Sequence, residues 1–215
     1  MDPKYVILIL AVAIVMGWFA FGMIFNLRRG DKLLNWLRSG LPRIGEKTTF
    51  RWLGSSVAEM VINKAKKPFR NLVTMLVFAP RDVPWMWAIA RMNGRRDTII
   101  FRADLTVPPR VDLELADPAS WTGRMILRQL QERGWEARPY QSVQLMAPRG
   151  MLDYAASTLE QLALPSQALA PHFWRFAIRR QSPHLELHIP QPDPRQVEAD
   201  RYFEALRKLA QAVSE

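Results

Sequence analysis

One stretch, YVILILAVAIVMGWFAFGMIF (residues 5 to 25), runs for twenty-one positions without a charge or a proline. As a helix rising about 1.5 Å per residue it would be about 31 Å long, about the thickness of a bilayer's hydrocarbon core. A helix satisfies its own backbone hydrogen bonds in hydrocarbon, so the run predicts a transmembrane helix. Its C-terminal end is bulky, with Trp18, Phe19, Phe21, Met23, Ile24 and Phe25. That is unlike the short apolar region and small-residue cleavage site of a signal peptide.

Residues 1–4 form a short tail before this helix. Residues 26–47 read as a basic juxtamembrane stalk, in which Leu33, Leu34, Trp36 and Leu37 cluster within two helical turns before Gly40 and Pro42 stop the helix. Two arrangements fit: a basic amphipathic helix along the membrane surface, or a helical stalk packing its apolar residues on the domain.

From residue 48 to 215 the pattern changes to short alternating runs. Ser56-x-x-Glu59 has the form of a capping box, but the β-branched content of VAEMVI favours a strand near 56–65. LVTMLVFAP (72–80) reads as a buried strand, and Pro80, Arg81 and Asp82 interrupt it too early for a second span. PWMWAIARM (84–92) predicts a short helix with Pro84 at its first position. Strands follow at 98–105 and 110–116; in the second, Val111, Leu113 and Leu115 face opposite to Asp112 and Glu114.

Asp117-Pro118 predicts a helix start, with Gly134 ending that helix. One or two strands are expected in 135–146, and a helix at 151–163 ended by Pro165. FWRFAIRR and HLELHIP predict a hairpin, and Asp193-Pro194 a cap for a final helix with Val197, Phe203, Leu206, Ala210 and Val213 on one face. The expected fold is α+β: an antiparallel sheet domain with helices packed on one face, behind one N-terminal transmembrane helix.

Charge then sets the orientation. Residues 26–110 hold 17 Lys and Arg against 6 Asp and Glu, whereas residues 111–215 hold 12 against 13. Arg28, Arg29, Lys32, Arg38 and Arg43 follow the apolar run, and only Lys4 precedes it. The positive-inside rule then predicts a single-pass protein of the cell (inner) membrane, with the N-terminus outside and the C-terminal domain cytoplasmic. These basic residues, with Trp36, are candidate contacts with an anionic membrane surface, which accounts for the charge without nucleic acid. Ala13 and Gly17 form a small-xxx-small pair, a candidate contact for a partner helix.

Candidate chemistry is sparse. The chain has no cysteine, which excludes disulfides and thiolate chemistry. It has no phosphate-binding glycine loop, nucleophile elbow or HExxH motif. His184, Glu186 and His188 share one face of the expected hairpin, a pattern open to metal binding but more ordinarily that of a solvated edge hairpin. Asp97, Asp104, Asp112 and Asp117 recur through the sheet region, and Asp104 and Asp112 are expected to form solvent-facing pairs with Arg102 and Arg110 rather than acid–base machinery. No enzyme, cofactor or metal site is expected. Core packing of the short helix against the sheet is the more ordinary reading of Trp85, Met86 and Trp87. With Arg91, Arg95 and Arg96 they also make the candidate interaction surface, because Trp, Met and Arg are enriched at contacts and Trp with Arg suits a headgroup layer. The expected role is an accessory, scaffold or assembly component of a membrane complex, with the bilayer and a membrane protein as partners. The alternative is a tethered module for a polyanion, either anionic lipid or nucleic acid.

Overall fold

A computed structural model describes residues 2–162 and 173–214. His172 and Pro165 lie outside the described residues, as does residue 163, the last of the helix expected at 151–163.

The apolar run and the stalk form one helix. Helix α1 spans Pro3–Gly40 without a break, with Asp2 as its cap and Pro3 in the first turn. Its first half is exposed. From Gly22 onward a stripe is buried, made of Gly22, Asn26, Gly30, Leu33, Leu34, Trp36, Leu37 and Gly40. Spacings of three and four keep these residues on one side of the helix, and that side lies against the sheet domain. Of the two arrangements open for the stalk, its apolar residues take the second: they are part of the domain core. Gly40 ends the helix, as expected, and a 3-10 turn, Leu41–Arg43, follows.

Among the described residues the domain is a nine-stranded, wholly antiparallel sheet. Strands β1 (Thr48–Trp52), β2 (Val57–Ile62) and β3 (Phe69–Val77) precede α2 (Pro84–Met92). Then come β4 (Thr98–Leu105), β5 (Leu113–Ala116) and α3 (Trp121–Glu132). Strands β6 (Glu136–Tyr140) and β7 (Val143–Ala147) lead to α4 (Leu152–Gln161), and β8 (Arg175–Ile178), β9 (Leu185–Pro190) and α5 (Ala199–Ser214) complete the chain. The order across the sheet is β1-β2-β3-β4-β9-β8-β5-β7-β6.

Residues 56–65 thus contain a strand rather than a capped helix. Two local starts differ from expectation. Ser120, not Asp117, caps α3, its hydroxyl accepting from Gly123 N at 2.8 Å. Asp117 instead closes a turn, accepting from Ala119 N at 2.8 Å. Asp193 likewise makes a turn with Arg195 N at 3.0 Å, and α5 begins only at Ala199. In both places a short polar side chain bonds its own backbone two residues on, which delays the helix.

Strand alternation gives the sheet two different faces. One carries Ala58, Met60, Ile62, Leu72, Leu76, Ile99, Phe101, Leu113, Leu115, Phe176, Leu185 and Leu187, all buried, and α1, α4 and α5 cover it. Phe203 of α5 meets Phe101 edge-on, and Trp36 of α1 meets Tyr202 the same way. The other face carries Glu114, Arg175, Glu186, His188 and Arg102, with α3 over its β5–β7 end through Ile126 and Leu130.

Candidate functional site

The end of the domain next to the exposed half of α1 is where α1, the β3–α2 loop and α2 meet. Trp18 and Gly22 of α1 touch this loop. The Trp18 indole N–H donates to Arg81 O at 2.9 Å, and its ring lies 6.5 Å from that of Trp87, centroid to centroid. Any side chain at Gly22 would overlap the Arg81 carbonyl, so glycine is what allows the loop to lie on the helix. Gly30 does the same for the Trp52 ring, which stacks on Phe78.

One turn below Gly22, Asn26 is fully buried. Its amide donates to Ser55 O at 3.2 Å and to Ala79 O at 3.1 Å, and accepts from Arg81 Nη1 at 3.1 Å. Arg81 also grips Asp97 with two parallel bonds of 3.0 Å each. Asp97 accepts from Ala79 N at 2.9 Å and pairs with Arg29 Nε at 3.2 Å. A buried carboxylate is stable only when paired and hydrogen-bonded, and Asp97 has two guanidiniums and a backbone N–H. Asn26, Arg81, Asp97 and Arg29 therefore lock the helix to the sheet.

Helix α2 projects from this joint. Its outward face is apolar: Trp85 is 62% exposed, Met86 51%, Ile89 57% and Met92 86%, and no residue of α2 is buried. Helices of a soluble surface normally turn their apolar side inward, so α2 reverses the usual order. Behind it a pocket of about 310 Å³ is lined by Arg29, Arg81, Arg91, Arg95 and Arg96, with Asp97 as its carboxylate. Arg95 also lies over the Trp121 ring, 5.7 Å from its centre.

The other candidates separate. Arg28, Lys32 and Arg38 are exposed on α1. Arg28 and Lys32 line a groove of about 1130 Å³ between α1 and residues 191–195, together with Phe21, Ile24, Phe25 and Arg195. Arg43 pairs with Asp200 at 3.4 Å. Trp36, expected at a membrane surface, is inside the domain, its indole donating to Val197 O at 2.6 Å, because the stalk's apolar side faces the sheet. Ala13 and Gly17 lie on the free half of α1, with nothing within 4 Å of a methyl placed at Gly17.

The second polar cluster lies on the charged sheet face. The register places Glu114, Ala177, Glu186 and Arg102 in one row across β5-β8-β9-β4, and Ala116, Arg175, His188 and Ile100 in the next. Small Ala177 leaves the two carboxylates facing each other, and the guanidiniums two residues before and after it, on β8 and just past its end, bridge them. Arg175 bonds Glu114 at 2.8 and 3.0 Å and Glu186 at 3.0 Å. Arg179 reaches Glu114 at 2.7 Å and Glu186 at 3.4 Å. Arg102 adds a looser pair with Glu186 at 3.7 Å.

His188 Nε2 lies 2.6 Å from Glu186 Oε1. Burial would raise Glu186, but the bond from His188 and the charges of Arg175 and Arg102 hold it down to about 2. Burial pushes His188 below its ordinary value, and the same arginines push it further, against the pull of Glu186. The neutral imidazole then donates Nε2–H to the carboxylate. Arg179 is lowered by burial but raised more by Glu114 and Glu186. His184 is occupied differently, its Nδ1 accepting from Leu105 N at 2.9 Å.

His184, Glu186 and His188 thus share a face, as alternation required, but on a central strand rather than an edge hairpin. Among the described residues no three His, Asp or Glu side chains are grouped to hold a metal. Asp112 pairs with Arg180 rather than Arg110, and Asp104 accepts from the Ser182 hydroxyl. Neither the Asn26–Arg81–Asp97 lock nor the Glu114–Glu186 bridge was named from sequence. Each joins residues more than fifty positions apart, and the only local signal was a lone Asn between an apolar run and two arginines.

A scan against protein-family models finds no match to this chain, and no curated protein matches it.

Proposed function

We propose that the chain is a membrane-anchored, non-catalytic accessory or assembly component of a membrane complex. The supporting observation is the continuity of α1, which is long and apolar enough to cross a membrane in its first half and built into the domain core in its second. A flexible linker would give a domain reach. An unbroken helix locked by Gly22, Asn26 and Gly30 gives it a fixed height and rotation, which suits holding a partner in register. The same joint argues against cleavage of the apolar run, since Trp18 and Gly22 already take part in domain packing. The basic residues after the run favour a cytoplasmic domain. The buried charges of the sheet pair with one another, which favours a structural role for them over catalysis.

Purification of the full-length protein from its native membrane in mild detergent tests this reading. A membrane-protein partner at fixed stoichiometry, retained at high salt and crosslinked from Ala13 or Gly17, is the expected result. A protein that emerges alone overturns it.

A second reading, binding of an anionic lipid or another polyanion, is favoured by the groove at Arg28, Lys32 and Arg195. These three make no ion pair among the described residues, and Phe21, Ile24 and Phe25 line the same groove. Steeply salt-dependent binding to anionic liposomes or oligonucleotides would support it.

A further inference from the structure

We propose that α2 is a second membrane-contacting element, lying in the bilayer interface with Trp85, Met86, Ile89 and Met92 among the acyl chains. The proposal rests on the reading of α1 as a transmembrane helix.

Depth along α1 carries the argument. A helix needs about 20 residues to cross a core of about 30 Å. Counted from Tyr5, just after the charge of Lys4, that span ends near Ile24. The loop and α2 touch α1 at Trp18 and Gly22, about 3 to 9 Å short of this end at 1.5 Å per residue. Laying residues 5–24 across the core therefore draws α2 below the hydrocarbon surface. Holding α2 in water would leave only residues 5–17 to span, about 20 Å, well short of the core. Interfacial helices bury their apolar face about 5–10 Å into the headgroup and acyl boundary, a range that overlaps the depth of about 3 to 9 Å that the joint imposes.

Chemistry agrees with depth. Tryptophan favours the interface, Trp87 sits beside Trp18, and Trp85 is exposed on the same short helix. Arg91, Arg95 and Arg96 cluster at the C-terminal end of α2 and line the pocket behind it with Arg29, Arg81 and Asp97. Apolar groups outward and guanidiniums behind them match acyl chains and phosphates in one leaflet.

The chain has no cysteine, so a single introduced thiol takes a spin label cleanly. Ile89→Cys, Met92→Cys, Val12→Cys and Arg128→Cys would each be labelled in the full-length protein, in nanodiscs of phosphatidylcholine and phosphatidylglycerol. All four positions are exposed, so the fold tolerates the change. Collisions with oxygen report lipid, and collisions with a water-soluble nickel chelate report solvent. The expected result is that positions 89 and 92 resemble 12, several-fold richer in oxygen than in nickel contact, while 128 shows the reverse. If 12 reads as lipid but 89 and 92 read as water, the α2 proposal fails and the anchor stands. If 89 and 92 are shielded from both reagents, protein covers α2 and lipid is overturned as its occupant. If 12 itself reads as water, the anchor reading fails and α2 falls with it.

Discussion

The indole of Trp18 donates a hydrogen bond to the backbone carbonyl of Arg81, 2.9 Å away and sixty-three residues further along the chain. The bond joins the apolar half of α1 to the domain, and the Arg81 side chain continues the connection to Asn26 and Asp97. Five expectations follow from this joint and from the charged sheet face.

Gly22→Val should loosen α1 from the domain. A Cβ there meets the Arg81 carbonyl and the Asp82 amide, backbone atoms that cannot rotate aside. Overpacking of this kind costs about 1–3 kcal/mol. Thermal unfolding in detergent should show a lower Tm, with Gly17→Val, where space is open, as the unaffected control.

Asn26→Ala should be destabilising by about 1–3 kcal/mol, because it strands buried partners without letting water in. Ser55 O, Ala79 O and Arg81 would each lose a bond. Denaturant unfolding measures the loss. A change within error would mean that the lock contributes nothing to stability.

Glu114→Gln should cost about 3–5 kcal/mol, the usual result of removing one partner from a buried pair. Arg175 and Arg179 would lose charge compensation at once, and Glu186 alone cannot satisfy both. Replacing Glu114 and Arg175 together by apolar residues should recover part of the loss, and a double-mutant cycle reads the coupling.

Acid should unfold the domain in two overlapping stages. Glu186 is depressed from 4.5 to about 2, so its contribution is full above pH 4.5 and disappears as pH falls towards 2. His188 is depressed below 6.5, so the unfolded chain takes up a proton first and stability begins to decline below pH 6.5. Tm should be level at neutral pH and fall from about 6.5 downward. In His188→Gln the decline between 6.5 and 4.5 should flatten, while the lower stage remains.

Replacing Arg91, Arg95 and Arg96 together by Ser should weaken attachment of α2 to anionic bilayers. Each nearby cation is worth about 1 kcal/mol at a charged leaflet. Because α1 holds the protein in the bilayer regardless, the readout is a spin label at Ile89→Cys. The triple change should lower its oxygen-over-nickel preference in nanodiscs containing phosphatidylglycerol at low salt, and not at high salt.

The amino-acid sequence by itself determined the local pieces. An uncharged run of this length is helical in any apolar setting, and Gly40 and Pro42 mark where it stops, because neither continues a helix well. Alternation put His184, Glu186 and His188 on one face, since the strand period is two. The α5 face at Phe203, Leu206 and Ala210 was equally legible. Tertiary structure alone decided what those pieces meet. Nothing local tells that β9 inserts beside β4, or that β8 brings Glu114 and Glu186 to either side of Ala177, because strand order depends on the pairing of distant segments. The fate of Leu33, Trp36 and Leu37 was open for the same reason: an apolar stripe is attracted equally by lipid and by a protein core. In α1 the core won, because Gly22, Gly30 and Gly40 let the sheet domain approach. In α2 it did not, and Trp85, Ile89 and Met92 stay exposed because the joint at Trp18 and Arg81 turns them outward.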